Sequence, residues 1–74
     1  MITEHSLVVL NREIADSGLH SGDVGVVVMI YANHKAYEVE FVEGDGTTVA
    51  LLTLEADDVR PIQAGELLHA RQRD

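Results

Sequence analysis

The chain has 74 residues, no cysteine and no tryptophan, and its 13 acidic and 5 basic residues leave a net charge of −8. That length allows a single domain with a thin core, the missing cysteines exclude disulfides and thiolate metal sites, and the charge opposes contact with phosphate backbones. No apolar run approaches the roughly 20 residues of a membrane-spanning helix, and Met1-Ile-Thr-Glu-His5 lacks the basic start and apolar block of a secretory signal, so a cytoplasmic location is expected. Val, Leu, Ile and Ala supply most of the apolar content, which is the makings of a β-type core.

Ser6-Leu-Val-Val-Leu10 is a short apolar run and the expected first strand. Asn11 to Ser21 is a long polar connection containing the turn signal Asp16-Ser-Gly18. Leu19, alone among polar neighbours, is expected to anchor that loop on the core. Gly22-Asp23 announces a second strand over roughly Val24–Tyr31, and Gly25 inside it marks a bulge or a close backbone approach. Asn33-His34 makes a turn. The third strand, roughly Ala36–Glu43, alternates strictly: Tyr37, Val39 and Phe41 share one face, Glu38 and Glu40 the other.

Gly44-Asp-Gly46 is a hairpin loop with residues that tolerate positive φ. The fourth strand runs from about Thr47 to Leu54, Glu55-Ala-Asp-Asp58 forms one helical turn served by Asp57 and Asp58, and Val59-Arg-Pro-Ile62 is a brief last strand. Pro61 cannot donate to a ladder, so that strand is expected to lie at an edge or to end there. The expectation is an all-β, five-stranded SH3-like barrel over residues 1–62. Residues 63–74 follow as a tail or short helix with little beyond Leu67 and Leu68 to bury.

Two motifs carry a family resemblance. Leu19-His-Ser-Gly-Asp-Val-Gly-Val-Val-Val28 resembles the glycine-aspartate turn entering the second strand of many SH3-like barrels, the KOW modules among them. Ala36-Tyr-Glu-Val-Glu-Phe-Val42, with Leu51-Leu-Thr-Leu54 and Asp58-Val-Arg-Pro-Ile62, resembles a family of very short bacterial proteins known as a domain of unknown function. The resemblance covers about Leu7 to Ile62. It implies a stand-alone SH3-like barrel, brings no catalytic residue with it, and suggests an accessory role of the antitoxin kind. The tail after Ile62 departs from the short ending of that family.

Few residues are arranged for chemistry. His5, His20, His34 and His69 fall in separate segments, without the i, i+4 spacing of a helical zinc site. They read as solvated side chains, and no metal or cofactor is expected. Glu38 and Glu40 point the same way, with Cβ atoms about 7 Å apart. Carboxylates do acid–base work when burial separates their pKa values, whereas alternation puts these two on an outer face. Ser6, Ser17 and Ser21 have no evident base, and Gly22, Gly25, Gly44 and Gly46 are turn and strand glycines rather than a phosphate loop.

The stronger signal is an excess of aliphatic side chains. If Ala50, Leu52 and Leu54 face the core, then Val49, Leu51 and Thr53 face out, and Val26, Val27 and Val28 cannot all point inward. An outward patch of Val27, Val49, Leu51 and Thr53, rimmed by Glu38, Glu40 and Glu43, fits an interface; a covering loop or tail fits it equally. The function expected is non-enzymatic protein–protein interaction, with a second copy or a basic protein as partner. The alternative is a KOW- or Sm-like nucleic-acid-binding barrel. Only Arg12, Lys35, Arg60, Arg71 and Arg73 could serve it. An enzyme or small-molecule binder would need the convergent polar groups that the sequence lacks.

Overall fold

Alternating and glycine-punctuated segments become five antiparallel strands in one sheet: β1 (Leu7–Leu10), β2 (Val24–Ile30), β3 (Ala36–Val42), β4 (Thr48–Glu55) and β5 (Val59–Pro61). The computed structural model describes residues 2–66. The strands lie in the order β4-β3-β2-β1-β5, so β4 and β5 are the two edges. The described residues contain no α-helix, only short 3-10 turns at Ala15–Ser17, Ala32–His34 and Ala56–Asp58. Ala64 and Gly65 form a turn. The rest of the expected tail helix, 67–74, lies outside the described residues.

The core is the inner face of this sheet. Val8 and Leu10 of β1, Val27 of β2, Tyr37, Val39 and Phe41 of β3, Leu54 of β4 and Val59 of β5 form one buried cluster with Ile2 and Leu19. Leu19 reaches it because its loop closes on itself. The Ile14 and Leu19 backbones exchange hydrogen bonds of 3.0 and 3.2 Å around the Ala15–Ser17 turn. The loop is then braced across its base. Glu13 accepts from the Ser21 N–H at 2.8 Å and lies 2.6 Å from His20 Nδ1, while Asp23 accepts from the His20 N–H at 2.9 Å. Gly22 has φ 97°, a left-handed conformation that costs a glycine little, and its N–H donates to the Leu10 carbonyl.

Gly25 is a close approach rather than a bulge. A Cβ there would stand 2.6 Å from Val39 Cγ1 and 2.8 Å from Phe41 Cε2, so the Phe41 ring fills the space a side chain would need. The bulge of β2 falls at Val28: Val27 pairs with Val39, but Met29 pairs with Glu38. A second irregularity sits in β4, where Phe41 pairs with Ala50 but Val42 with Thr48, leaving Val49 without a partner. Each bulge resets the alternation beyond it, and both bear on which side chains face out. Of the two glycines in the β3–β4 loop, only Gly46 adopts positive φ, at 87°.

Candidate interaction face

Register places the outer face in rows across the strands. One row runs Leu7, Val26, Glu40, Leu51 through β1, β2, β3 and β4; the next runs Met29, Glu38, Thr53 through β2, β3 and β4. Val42 continues the outward alternation of β3. Most of the apolar members are open to solvent: Leu51 is 54% exposed, Val42 51% and Met29 46%, with Val28, Leu7 and Tyr31 close behind, while Val26 is half-buried.

The two carboxylates between them are held flat on the sheet by hydroxyls. Thr53 Oγ1 donates to Glu38 Oε1 at 2.6 Å, Tyr31 donates to the same oxygen at 3.2 Å, and Thr48 Oγ1 donates to Glu40 Oε2 at 2.9 Å. Both glutamates are half-buried. The result is a mixed surface, with Leu51, Val42 and Met29 set around two carboxylates on the middle strand. It can desolvate hydrocarbon and accept hydrogen bonds, two properties of a recognition surface.

Of the residues expected on this face, Leu51, Thr53, Glu38 and Glu40 lie there, and two do not. Val27 is completely buried, because the bulge falls one residue after it and leaves it facing Val39 in the core. Val28 and Met29 face out in its place. Val49 is half-buried and packs against the core cluster, because as the extra residue of the β4 bulge it escapes the alternation. Val42 and Leu7 were missed although alternation continued from Phe41, or backward from Val8, reaches both. No pattern in Val26-Val27-Val28-Met29 announces the position of the bulge.

The remaining polar groups serve the frame. Asp58 ties the Ala56–Asp58 turn together, accepting from the Glu55 N–H at 3.0 Å and from Arg12 Nε at 2.9 Å. The Arg12 hydrogen bond holds its carboxyl below the usual range. Arg60 grips Glu66 with two hydrogen bonds, 2.8 and 2.7 Å, and that grip with the Gln63 N–H lowers the Glu66 pKa to about 2. Ser21 donates its N–H to Glu13, which with His20 lowers the Glu13 pKa. Ser6 Oγ donates to the Thr3 carbonyl. His5 donates its N–H to Val27, and His34 meets Tyr37 edge-on; His69 lies outside the described residues. Among the described residues, no three His, Asp or Glu side chains converge as metal ligands, and no helix is long and apolar enough to cross a membrane.

A family model described as a domain of unknown function, DUF4926, matches residues 4–61, which is the whole sheet and the loop that anchors Leu19. No curated protein and no solved structure matches the chain.

Proposed function

The chain belongs to the DUF4926 family, and we propose that it is a non-catalytic protein–protein interaction module built on an SH3-like barrel, binding through the outer face of β2, β3 and β4. The barrel reading is supported by the strand order β4-β3-β2-β1-β5, the long first connection and the 3-10 turn before the last strand. The observation that carries the functional reading is the exposure of Leu51, Val42 and Met29 around two hydroxyl-held glutamates on one sheet face. Contiguous aliphatic exposure in a chain this small favours a partner. A second copy is the simplest partner. A basic accessory protein, as in an antitoxin-like pairing, is the other, since an acidic face steers basic surfaces.

Light scattering on the full chain and on Leu51→Glu tests this. The expected result is an assembly of at least two 8.1 kDa chains that falls to a folded monomer in the variant. A strict monomer in both cases, together with no retention of basic proteins on the immobilised chain, would overturn it.

A further inference from the structure

We infer that two copies of this chain join edge to edge through β4, antiparallel about a two-fold axis at Leu52, with Leu51 of each copy hydrogen-bonded to Thr53 of the other. This rests on the self-association proposed above but takes the β4 edge, not the outer face, as the seam.

The ladder between β3 and β4 decides which backbone groups of β4 are free. The Ala56 N–H donates to the Lys35 carbonyl and the Glu43 N–H to the Thr47 carbonyl. The odd-numbered residues of β3 therefore turn their backbones toward β4. Through the pairs Tyr37–Leu54, Val39–Leu52 and Phe41–Ala50, the even-numbered residues of β4 answer them. Leu51, Thr53 and Glu55 face the other way, off the sheet. The Glu55 N–H is already taken by Asp58. Leu51 and Thr53 are left presenting an N–H and a C=O each along an open edge.

That edge lacks the features that keep edges apart. Proteins blunt exposed strands with proline, with lysine or by making them short. β4 has eight residues, no proline and no basic residue, and its single charge is the terminal Glu55. Its inward-facing Ala50 and Leu52 are only half-buried because nothing lies beyond them in the sheet.

Only one register pairs every free group of Leu51 and Thr53, and it leaves the occupied Glu55 donor and the bulged Val49 to face each other beyond them. Centring the pair on Leu51 would set Thr53 against the bulged Val49. Centring it on Thr53 would set Leu51 against Glu55, whose donor is occupied. Centring it on Leu52 sets Leu51 opposite Thr53 twice over, so each free N–H meets a free C=O, and brings the two half-buried Leu52 side chains together on the inner face. The outer faces then run on as one surface. Glu38 of one copy and Glu40 of the other stand three strand spacings apart, about 14 Å, beyond the ~8 Å screening length at physiological salt. The pairing therefore tolerates the acidity of both copies.

The chain has no cysteine, so one engineered thiol reports the register. Residues facing each other across a non-hydrogen-bonded pair have Cα atoms about 4.5 Å apart, within disulfide reach. Leu52→Cys is expected to oxidise to a covalent dimer at micromolar protein. Thr48→Cys, about 26 Å from its own copy in this register, is expected to stay monomeric on denaturing gels. Thr53→Pro removes an N–H that β3 does not use, and should halve the solution mass while leaving a folded β-sheet spectrum. Added salt should not weaken the association, since no opposite charges hold the two acidic chains together, whereas docking of a basic partner would weaken.

A dimer that survives Thr53→Pro, with no faster linking of Leu52→Cys than of Thr48→Cys, overturns edge pairing and leaves face-to-face association standing. A wild-type monomer at every concentration overturns edge pairing and self-association alike, and leaves only binding to another protein.

Discussion

The two edges of this sheet are finished differently. At β5 the outward backbone positions are Val59 and Pro61, because the Asn11 N–H donates to the Asp58 carbonyl and Arg60 pairs with Val9 on the inside. Pro61 has no N–H, and its carbonyl is already taken by Arg60 at 3.2 Å. The strand is three residues long, and the Arg60–Glu66 pair folds the following turn against its end. At β4 the outward positions are Leu51 and Thr53, complete with donors and acceptors, in a strand of eight. A sheet that does not pair its first and last strands has two edges to manage. This one closes β5 with its own proline, arginine and turn, and leaves β4 open.

The sharpest way to break the comparison is to ask whether β4 belongs to the fold at all along its open half. Leu54 is buried in the core at the end tied down by Asp58, whereas Leu51 is mostly exposed. Leu54→Ala should cost about 2–5 kcal/mol in urea unfolding, the usual loss for a buried leucine. Leu51→Ala should stay within about 0.5 kcal/mol at protein concentrations that keep the chain monomeric. Equal losses would mean that Leu51 is packed and β4 is not an open edge.

A smaller effect is expected at the junction between the edges. Asp58 occupies the Glu55 donor at the end of β4 and holds Arg12 beside the start of β5. Asp58→Ala should cost about 1 kcal/mol, as loss of a capping carboxylate does, and should free one more donor on the β4 edge. Since Arg12 lowers the folded-state pKa of Asp58, its contribution is present above the unfolded-state value and is lost as pH falls through the lowered one. Asp58→Ala and the wild type should therefore converge in melting temperature toward acid. A gap that stays constant to low pH would assign the loss to packing instead.

The pattern that made the sheet readable is local, and so is what escaped it. Tyr37-Glu-Val-Glu-Phe41 alternates without interruption, so its facing follows from period two alone, and Glu38 and Glu40 stand on the outer face as that period requires. Leu19 was legible as an anchor because it had no apolar neighbour. Alternation counted back from Leu54 carries Val49 outward through its bulge, whereas Val27 is expected outward only on the ground that Val26, Val27 and Val28 cannot all point inward. A bulge is set by how two strands meet, and neither strand's residues encode it alone. The open edge is likewise invisible in sequence: which of Leu51 and Leu52 turns its backbone outward depends on the Lys35–Ala56 hydrogen bond.

At the β5 edge the clamp itself can be titrated. Glu66 drops from the usual 4.5 to about 2 because Arg60 and the Gln63 N–H hold its charged form. Its stabilisation is complete above pH 4.5 and disappears as pH falls toward 2. The pair lies at the surface with side chains 36% and 30% exposed, so solvent screens it and Glu66→Gln should produce only a small fall in melting temperature at pH 7, and the fall should vanish near pH 2. A carboxyl that titrates near 4.5 by NMR would mean that the turn does not close on Arg60.

The smallest expected effect is the most informative about cause. Pro61→Val restores the missing donor at the outward position of β5 without touching the core. If strand length and the Arg60–Glu66 turn close that edge, the variant should unfold within about 0.5 kcal/mol of the wild type. Its solution mass should match the wild type at every concentration, because Val59 and residue 61 alone make too short a ladder to recruit a strand. If the variant assembles further than the wild type, the proline alone was holding that edge apart. The contrast with β4 would then reduce to one missing N–H, and a proline at Thr53 should be enough to make the two edges alike.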